Sequence, residues 1–527
     1  MSASRTSRVS ATFLGLVGLF ASGTLHAQTA PTLAGLGDDV LNATETVHVD
    51  GYFRFRGELL HNLDLDHGLT PSGKPLYPVP LSDPSGQNLT HADMRLRTDI
   101  SIYSPLGDVA VKARLDLLDN MALGSTPEGP PQSTTTQSPG TYLNVKRVWA
   151  EALTPFGLLS VGRTGSHWGL GMLTNSGDCL SCDSGDAADR IAFVTPLVGH
   201  IFAVAYDIGF VGPNVPRSNG RTLDLDPSDD VRSFTFAVLN YDTPLAVDRR
   251  RSAGKATINY GGFVSYRTQE NDVPAWYYPT GDTGLAPSQV IHRDLSALGA
   301  DVWGRAVFPF GRIEAEAALL TGRIGQSSLI PGVVFPEALT STQWGAALQT
   351  DFGKADWFTS FGIDAGIASG DSAPGFGARP GPYDPAPQPG DLDGPQANLP
   401  HDTTVNNFRF HPDYRVDQIL FREIIGTVTD AWYIRPHVDF VFGRVGQGMF
   451  RFELAGIYSQ ALNATSTPGL EAPLGIEINP TLKWEGRAFS AAIDHAVLLP
   501  FSGLDNVSAG LSAKPAQLLR LQLWMEF

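Results

Sequence analysis

Residues 517–527 read Gln-Leu-Leu-Arg-Leu-Gln-Leu-Trp-Met-Glu-Phe. From Leu519 onward the alternation is almost unbroken. Leu519, Leu521, Leu523, Met525 and Phe527 share one side, and Arg520, Gln522, Trp524 and Glu526 share the other. Side chains of an extended chain point to opposite faces with period 2, so this is a strand with one oily and one mostly polar face. Soluble β-sandwiches and membrane β-barrels both contain such strands, and the rest of the chain has to choose between them.

Upstream, the same pattern recurs in pairs. Residues 46–60 set Tyr52, Arg54, Arg56 and Glu58 against Phe53, Phe55 and Gly57, and then 61–89 is rich in Pro, Gly, Asp and Asn. Asp93, Arg95, Arg97 and Asp99 alternate with Met94, Leu96, Thr98 and Ile100; a Pro105-Leu106-Gly107-Asp108 turn leads to a strand carrying Lys112, Arg114 and Asp116 on one face. Similar tight turns stand at 154–157, 196–199, 309–311, 352–354 and 485–487, and pattern-free stretches separate the pairs. The connection between strands 231–240 and 256–268 is longer and basic, with Arg249, Arg250 and Arg251. Short turns at one end and long loops at the other are the layout of a transmembrane antiparallel β-barrel, an all-β fold. The count is about eighteen strands, with sixteen or twenty left open by boundary uncertainty. Residues 416–428 place Val416, Ile419, Leu420 and Ile424 at helical spacing, after Asp417 and before Gly426. They read as a helical or folded-in part of a long 370–430 loop, with an ordinary strand as the competing reading.

The chain has 527 residues, 56 of them glycine and 38 proline, with 2 cysteines and a formal net charge of −17. The acidic balance disfavours nucleic acid and anionic membrane surfaces as partners. Arg5 and Arg8, an apolar run centred on 13–20 and Leu25-His26-Ala27 read as a secretory signal over 1–27, followed by a short leader over 28–45. Residues 46–527 are then the barrel. Cys179 and Cys182 are too few for a four-cysteine zinc site and lack a haem-attachment histidine. A local disulfide in an outer loop fits an exported protein, with free thiols or weak metal binding as alternatives. There is no metalloprotease histidine pair, nucleophile elbow or phosphate loop. The expectation is no enzyme, no cofactor and no metal site.

A barrel of this size leaves a lumen that side chains alone do not fill. The candidate lining is therefore the inward charge: Arg54, Arg56, Arg95, Arg97, Lys112 and Arg114 on the first three strands, among Glu58, Asp93, Asp99 and Asp116. These basic groups either favour an anionic solute or brace the wall as ion pairs. The candidate constriction or plug is the 370–430 loop. Its segment Phe408-Arg-Phe-His-Pro-Asp-Tyr-Arg-Val-Asp417 is dense in aromatic and ionised groups, which favours packing against the inner wall. Arg409, Asp413, Arg415, Asp417, Arg422 and Glu423 are its candidate residues.

The strand 517–527, with its final Phe527, resembles the closing strand of outer-membrane β-barrels, whose terminal Phe is read by the barrel-assembly machinery. The run 408–438 and the segment Gly162-Arg-Thr-Gly-Ser-His-Trp-Gly-Leu-Gly171 resemble an uncharacterised family of outer-membrane proteins from myxobacteria and related bacteria. More loosely, Gly162–Gly171 is similar to alginate-export and other large porins. The resemblance implies an exported barrel in the outer membrane of a Gram-negative bacterium, in contact with outer-membrane lipids and the assembly machinery. It supplies no substrate. The expected function is a porin-like channel for small hydrophilic solutes, anionic ones among them; the alternative is a structural or surface-interaction barrel closed by 370–430. Oligomeric state is not legible.

Overall fold

The computed structural model describes residues 46–527 apart from 84–86, 106, 124, 127–135, 138–142, 276–285, 354–357, 378–387, 393–401 and 447. The expected signal and leader over 1–45 lie outside the described residues. Eighteen strands form one sheet: β1 (Val47–His61), β2 (Asn88–Tyr103), β3 (Val109–Ala122), β4 (Leu143–Thr154), β5 (Gly157–Gly165), β6 (Ala187–Leu197), β7 (His200–Gly209), β8 (Val231–Asn240), β9 (Thr257–Gln269), β10 (Leu295–Phe308), β11 (Gly311–Ile324), β12 (Leu339–Phe352), β13 (Thr359–Ala368), β14 (Ala431–Val445), β15 (Gly448–Ala461), β16 (Pro473–Glu485), β17 (Phe489–Pro500) and β18 (Ala516–Glu526). Each pairs antiparallel with its neighbours in sequence. The seam is closed by β1 against β18, in register from Tyr52 opposite Glu526 to His61 opposite Gln517. Closure leaves no edge, the condition for a sheet to stand in lipid.

Polarity follows the alternation. Leu519, Leu521 and Met525 of β18 are exposed, as are Val49 and Leu59 of β1 and Phe234 and Phe236 of β8. The opposite faces carry Arg520, Arg54, Arg56, Arg95 and Arg97, all buried. Oil outside and charge inside is the inverse of a soluble domain and suits a barrel surrounded by acyl chains. Aromatic pairs cluster near the short-turn end, as Phe308 with Phe310 at 5.7 Å between ring centroids and Phe358 with Phe440 at 6.0 Å.

The basic connection 241–256 holds a helix that its sequence does not announce, α1 (Pro244–Ser252). Thr243 caps it, accepting from the Ala246 N–H, and the three consecutive arginines fall in its last turn, where the C-terminal carbonyls favour cations. The 416–428 segment is not a strand: Leu420–Ile424 forms one π-helical turn, buried at Leu420, Phe421 and Ile424.

The long loops do not all stand clear of the barrel. A single apolar cluster joins Leu63, Leu65 and Leu76 of the β1–β2 loop, Leu170 and Met172 of the β5–β6 loop, Phe376, Phe408, Phe410 and Ile419 of the β13–β14 loop, and Leu504 before β18. Leu65, Phe376, Phe408 and Ile419 have no exposure. The long-loop half of the barrel is thus packed with the protein's own core.

Candidate functional site

The first inner wall is made where the β5–β6 loop, 166–186, turns inward. Gly169 and Gly171 take positive φ, 54° and 77°. At Gly169 a Cβ would lie 2.6 Å from Glu316 Oε2 and 2.8 Å from the Trp303 ring, so glycine is needed for the approach. Trp168 packs edge-on against Phe263 at 5.3 Å. Glu316 of β11 accepts from the N–H groups of Leu170 and Leu173, the latter at 3.2 Å. On the opposite side, wall arginines take the loop's carbonyls. Arg54 and Arg95 donate to Cys182 O at 3.1 and 2.7 Å, Arg95 to Asp183 O at 2.9 Å, and Arg97 to Gly177 O at 2.6 Å. Arg147 of β4 reaches Ser176 O. Cys179 is bonded to Cys182 within this grip. The disulfide that the sequence places in an outer loop therefore sits inside the barrel, against β1 and β2, because backbone carbonyls satisfy arginines that water does not reach.

The second wall comes from the β13–β14 loop. Phe408, Phe410 and Tyr414 stack edge to face at 5.8 and 5.5 Å. His411 N–H donates to Met172 O at 2.7 Å. The Asp413 carboxylate accepts from the N–H groups of Asp183 and Ser184 at 2.9 and 2.8 Å. Arg415 reaches Asp183 at 2.5 Å and Ser181 O at 2.6 Å. The two loops are therefore docked on each other across the lumen. Burial raises the Asp183 carboxyl, but Arg415, Arg56 and Arg54 outweigh it and hold it well below the usual carboxylate range. Asp413 is lowered in the same sense: burial opposes, and Arg415 and the Ser184 donors win.

Beyond Arg415 the chain is anchored from beneath. Glu477 of β16 accepts from the N–H groups of Gln418, Ile419 and Leu420 at 2.8, 3.1 and 3.0 Å. Asp417 accepts from Phe421 and Arg422 N–H at 2.9 and 3.1 Å, capping the π-helical turn. Arg520 of β18 bridges Glu58 of β1 at 2.5 Å and Glu423 of the loop at 3.0 Å.

One side of this assembly is not filled. A cavity of about 90 Å³ separates Arg415, Asp417 and Arg422 from the wall of β12–β18, where Gln349, Arg435, Glu453, Asn479, Thr481, Asp494 and Gln522 face it. Arg435 is held by Asp364 at 2.9 Å and Glu453 at 2.5 Å, and Asp494 takes Thr481 and Gln522 at 2.9 and 2.8 Å. That volume suits a few waters or a small ion.

No family model matches the chain, and no curated protein matches it. Solved structures do. It is similar to the outer membrane protein OpdK from Pseudomonas aeruginosa, at 10% identity over 91% of this chain and 98% of that one, with a TM-score of 0.44. It is similar to OccK11 (OpdR) of the same organism at 10% identity, over 91% and 96%, TM-score 0.44. A BenF-like porin from Pseudomonas fluorescens Pf-5 gives 10% identity over 91% and 98%, TM-score 0.43. The closed register of the eighteen strands carries the fold independently of these likenesses.

The expected candidates divide. Asp413, Arg415, Asp417, Arg422 and Glu423 come together in the docked loop, with the first four on the cavity. Arg409 is half-buried between Phe408 and Phe410 and does not line the cavity. Arg54 and Arg95 are fully buried, Arg56 pairs with Asp93 and Asp183 at 2.7 and 2.9 Å, and Lys112 pairs with Glu151 at 3.2 Å. Arg114 makes two bonds to Asp99 at 2.6 and 2.8 Å. These wall cations face loop and partner carboxylates rather than open lumen. Missed in the sequence were Glu477, Arg435 and Arg147, and the inward fold of 166–186. The signal for that fold was Trp168 flanked by glycines, which a surface loop does not require.

Proposed function

We propose that this chain is an outer-membrane channel whose passage for ions and small hydrophilic solutes runs through the gap between residues 413–422 and the wall of β12–β18. The observation that supports this reading is the one-sided packing of the β13–β14 loop. Its other faces are taken up by apolar packing and by hydrogen bonds to residues 181–184 and Glu477, yet the face toward β12–β18 keeps ionised groups around unfilled space. Buried ion pairs stabilise less than well-packed apolar side chains of similar volume, so a simple stopper has no use for them. Export by 1–27, assembly into the outer membrane and kinship with the myxobacterial family belong to the same proposal. We infer weak charge preference, tilted toward cations, since Arg415, Arg422 and Arg435 stand against Asp413, Asp417, Glu453 and Asp494 in the gap, and Arg54 and Arg95 are occupied by carbonyls.

The small cavity favours a second reading, a barrel held shut by its own loops. Single-channel recording of the refolded barrel in a planar bilayer separates the two. The channel reading expects a small steady conductance, lowered by Thr481→Arg in the gap. It also expects a reversal potential moved toward cations by Asn479→Asp. Silence from a barrel shown to be folded selects the closed reading.

A further inference from the structure

Away from the lumen, the long-loop end carries an acidic run in the β7–β8 loop: Asp224-Leu-Asp226-Pro-Ser228-Asp229-Asp230. Oxygen side chains stand at its first, third and fifth places, but the sixth, a glycine in the helix-flanked calcium loop, is Asp229. Pattern alone is weak. The second observation is Asp229, which has no solvent exposure and no hydrogen-bond partner at either carboxylate oxygen. Its neighbours are engaged. Asp224 accepts from Asp226 N–H at 2.9 Å, Asp226 from Ser228 N–H at 3.1 Å, and Asp230 from Val211 N–H at 3.3 Å. Asp272, in the adjacent β9–β10 loop, pairs with Arg293.

A buried carboxylate without hydrogen-bond donors is unfavourable. Burial, and then Asp226, Asp224, Asp230 and Asp272, push it up to about 7. The carboxylate also lies directly against Gly212, where any side chain would collide with it. The surrounding oxygens are hard donors. The two loops are pinned together at this point, with Asn271 N–H on Ser228 O at 3.1 Å and Gln269 Nε2 on Asp229 O at 2.9 Å.

We propose that Asp229 anchors a divalent-cation site of calcium type that ties the β7–β8 loop to the β9–β10 loop. Among the described residues no three acidic or imidazole side chains already close on one point. The shell is therefore completed by main-chain carbonyls, water and a rotation of Asp226 or Asp230. Calcium tolerates this, taking six to eight oxygens in flexible geometry, whereas magnesium demands a near-ideal octahedron.

The test is calcium titration of the refolded full barrel by calorimetry, with terbium luminescence as a second probe. Wild type is expected to bind one calcium saturably, with magnesium at least tenfold weaker. Asp229→Asn removes the anchor charge while keeping its shape and should lower calcium affinity at least tenfold. Gly212→Ala, which changes no charge, should do the same by displacing the carboxylate. Strand content and heat-modifiable migration of both variants verify that the barrel is intact. Equal calcium binding by wild type and Asp229→Asn, or no binding by wild type, overturns the proposal.

Discussion

The two loops that meet in the lumen are held by opposite means. Residues 166–186 are gripped by ions: Arg54, Arg95, Arg97 and Arg147 take their carbonyls, Glu316 takes their amides, and a disulfide fixes the turn. The docked part of the β13–β14 loop is gripped chiefly by burial, with Phe408, Phe410, Ile419, Leu420 and Phe421 almost wholly enclosed. Each such side chain stabilises its position by about 1.5–3 kcal/mol relative to exposure. Several together make bodily expulsion of that loop negligible at equilibrium. The contrast teaches that the filling of the lumen is a fixed wall on one side and a charge-latched strap on the other.

The comparison breaks most sharply at Phe408. Phe408→Ala should cost about 3–5 kcal/mol through the cavity it leaves. Limited proteolysis would show cleavage within 403–430, and conductance should rise and become noisy. A smaller effect is expected for Asp183→Asn, which strips the shared acceptor from Arg54, Arg56 and Arg415. At about 2 kcal/mol for charge-assisted bonds, hydrogen exchange should quicken in 166–186 while 403–430 stays protected. If both loops loosen equally, they are one unit and the contrast fails. Removing the disulfide with Cys179→Ser and Cys182→Ser should matter less, because the closed loop is short and the chain-entropy gain is at most about 2 kcal/mol. Denaturant unfolding should register a shift below that figure.

The smallest response expected is to pH. Asp183 and Asp413 have folded values depressed below the ordinary 3.8. Their contribution is fully present above the unfolded value and is lost only as pH falls through the folded one. The facing charged groups are Arg54, Arg56, Arg415 and Arg422. Exchange protection of 181–184 should therefore be flat from pH 8 to pH 5 and weaken only in strong acid. Loosening near neutrality would show that other groups latch the strap.

The strands were legible because lipid on one side and polar interior on the other impose period 2 on every crossing, visible in 517–527 and again at Arg54, Arg56, Arg95 and Arg97. Residues 416–428 were legible as a folded-in turn because Val416, Ile419, Leu420 and Ile424 keep helical spacing. What the inward charges face was not legible. Arg54 meets Cys182 at a sequence separation of 128, and no local pattern encodes that contact. An arginine on an inner face looks alike in sequence whether it meets water or a carbonyl. Helix α1 hid in a basic run, and the acidic residues 224–230 passed as ordinary loop composition.

Arg520 carries a consequence for how the molecule is made. It belongs to the last barrel strand, closes the seam by meeting Glu58 of the first, and holds Glu423 of the inner loop. Leu518 of the same strand joins the apolar cluster inside. A nascent barrel lacking β18 therefore has an open flank and an incompletely braced interior at once. Closure of the wall and bracing of the inner loop are completed by one event, so assembly intermediates stalled before it should be loose inside as well as unclosed.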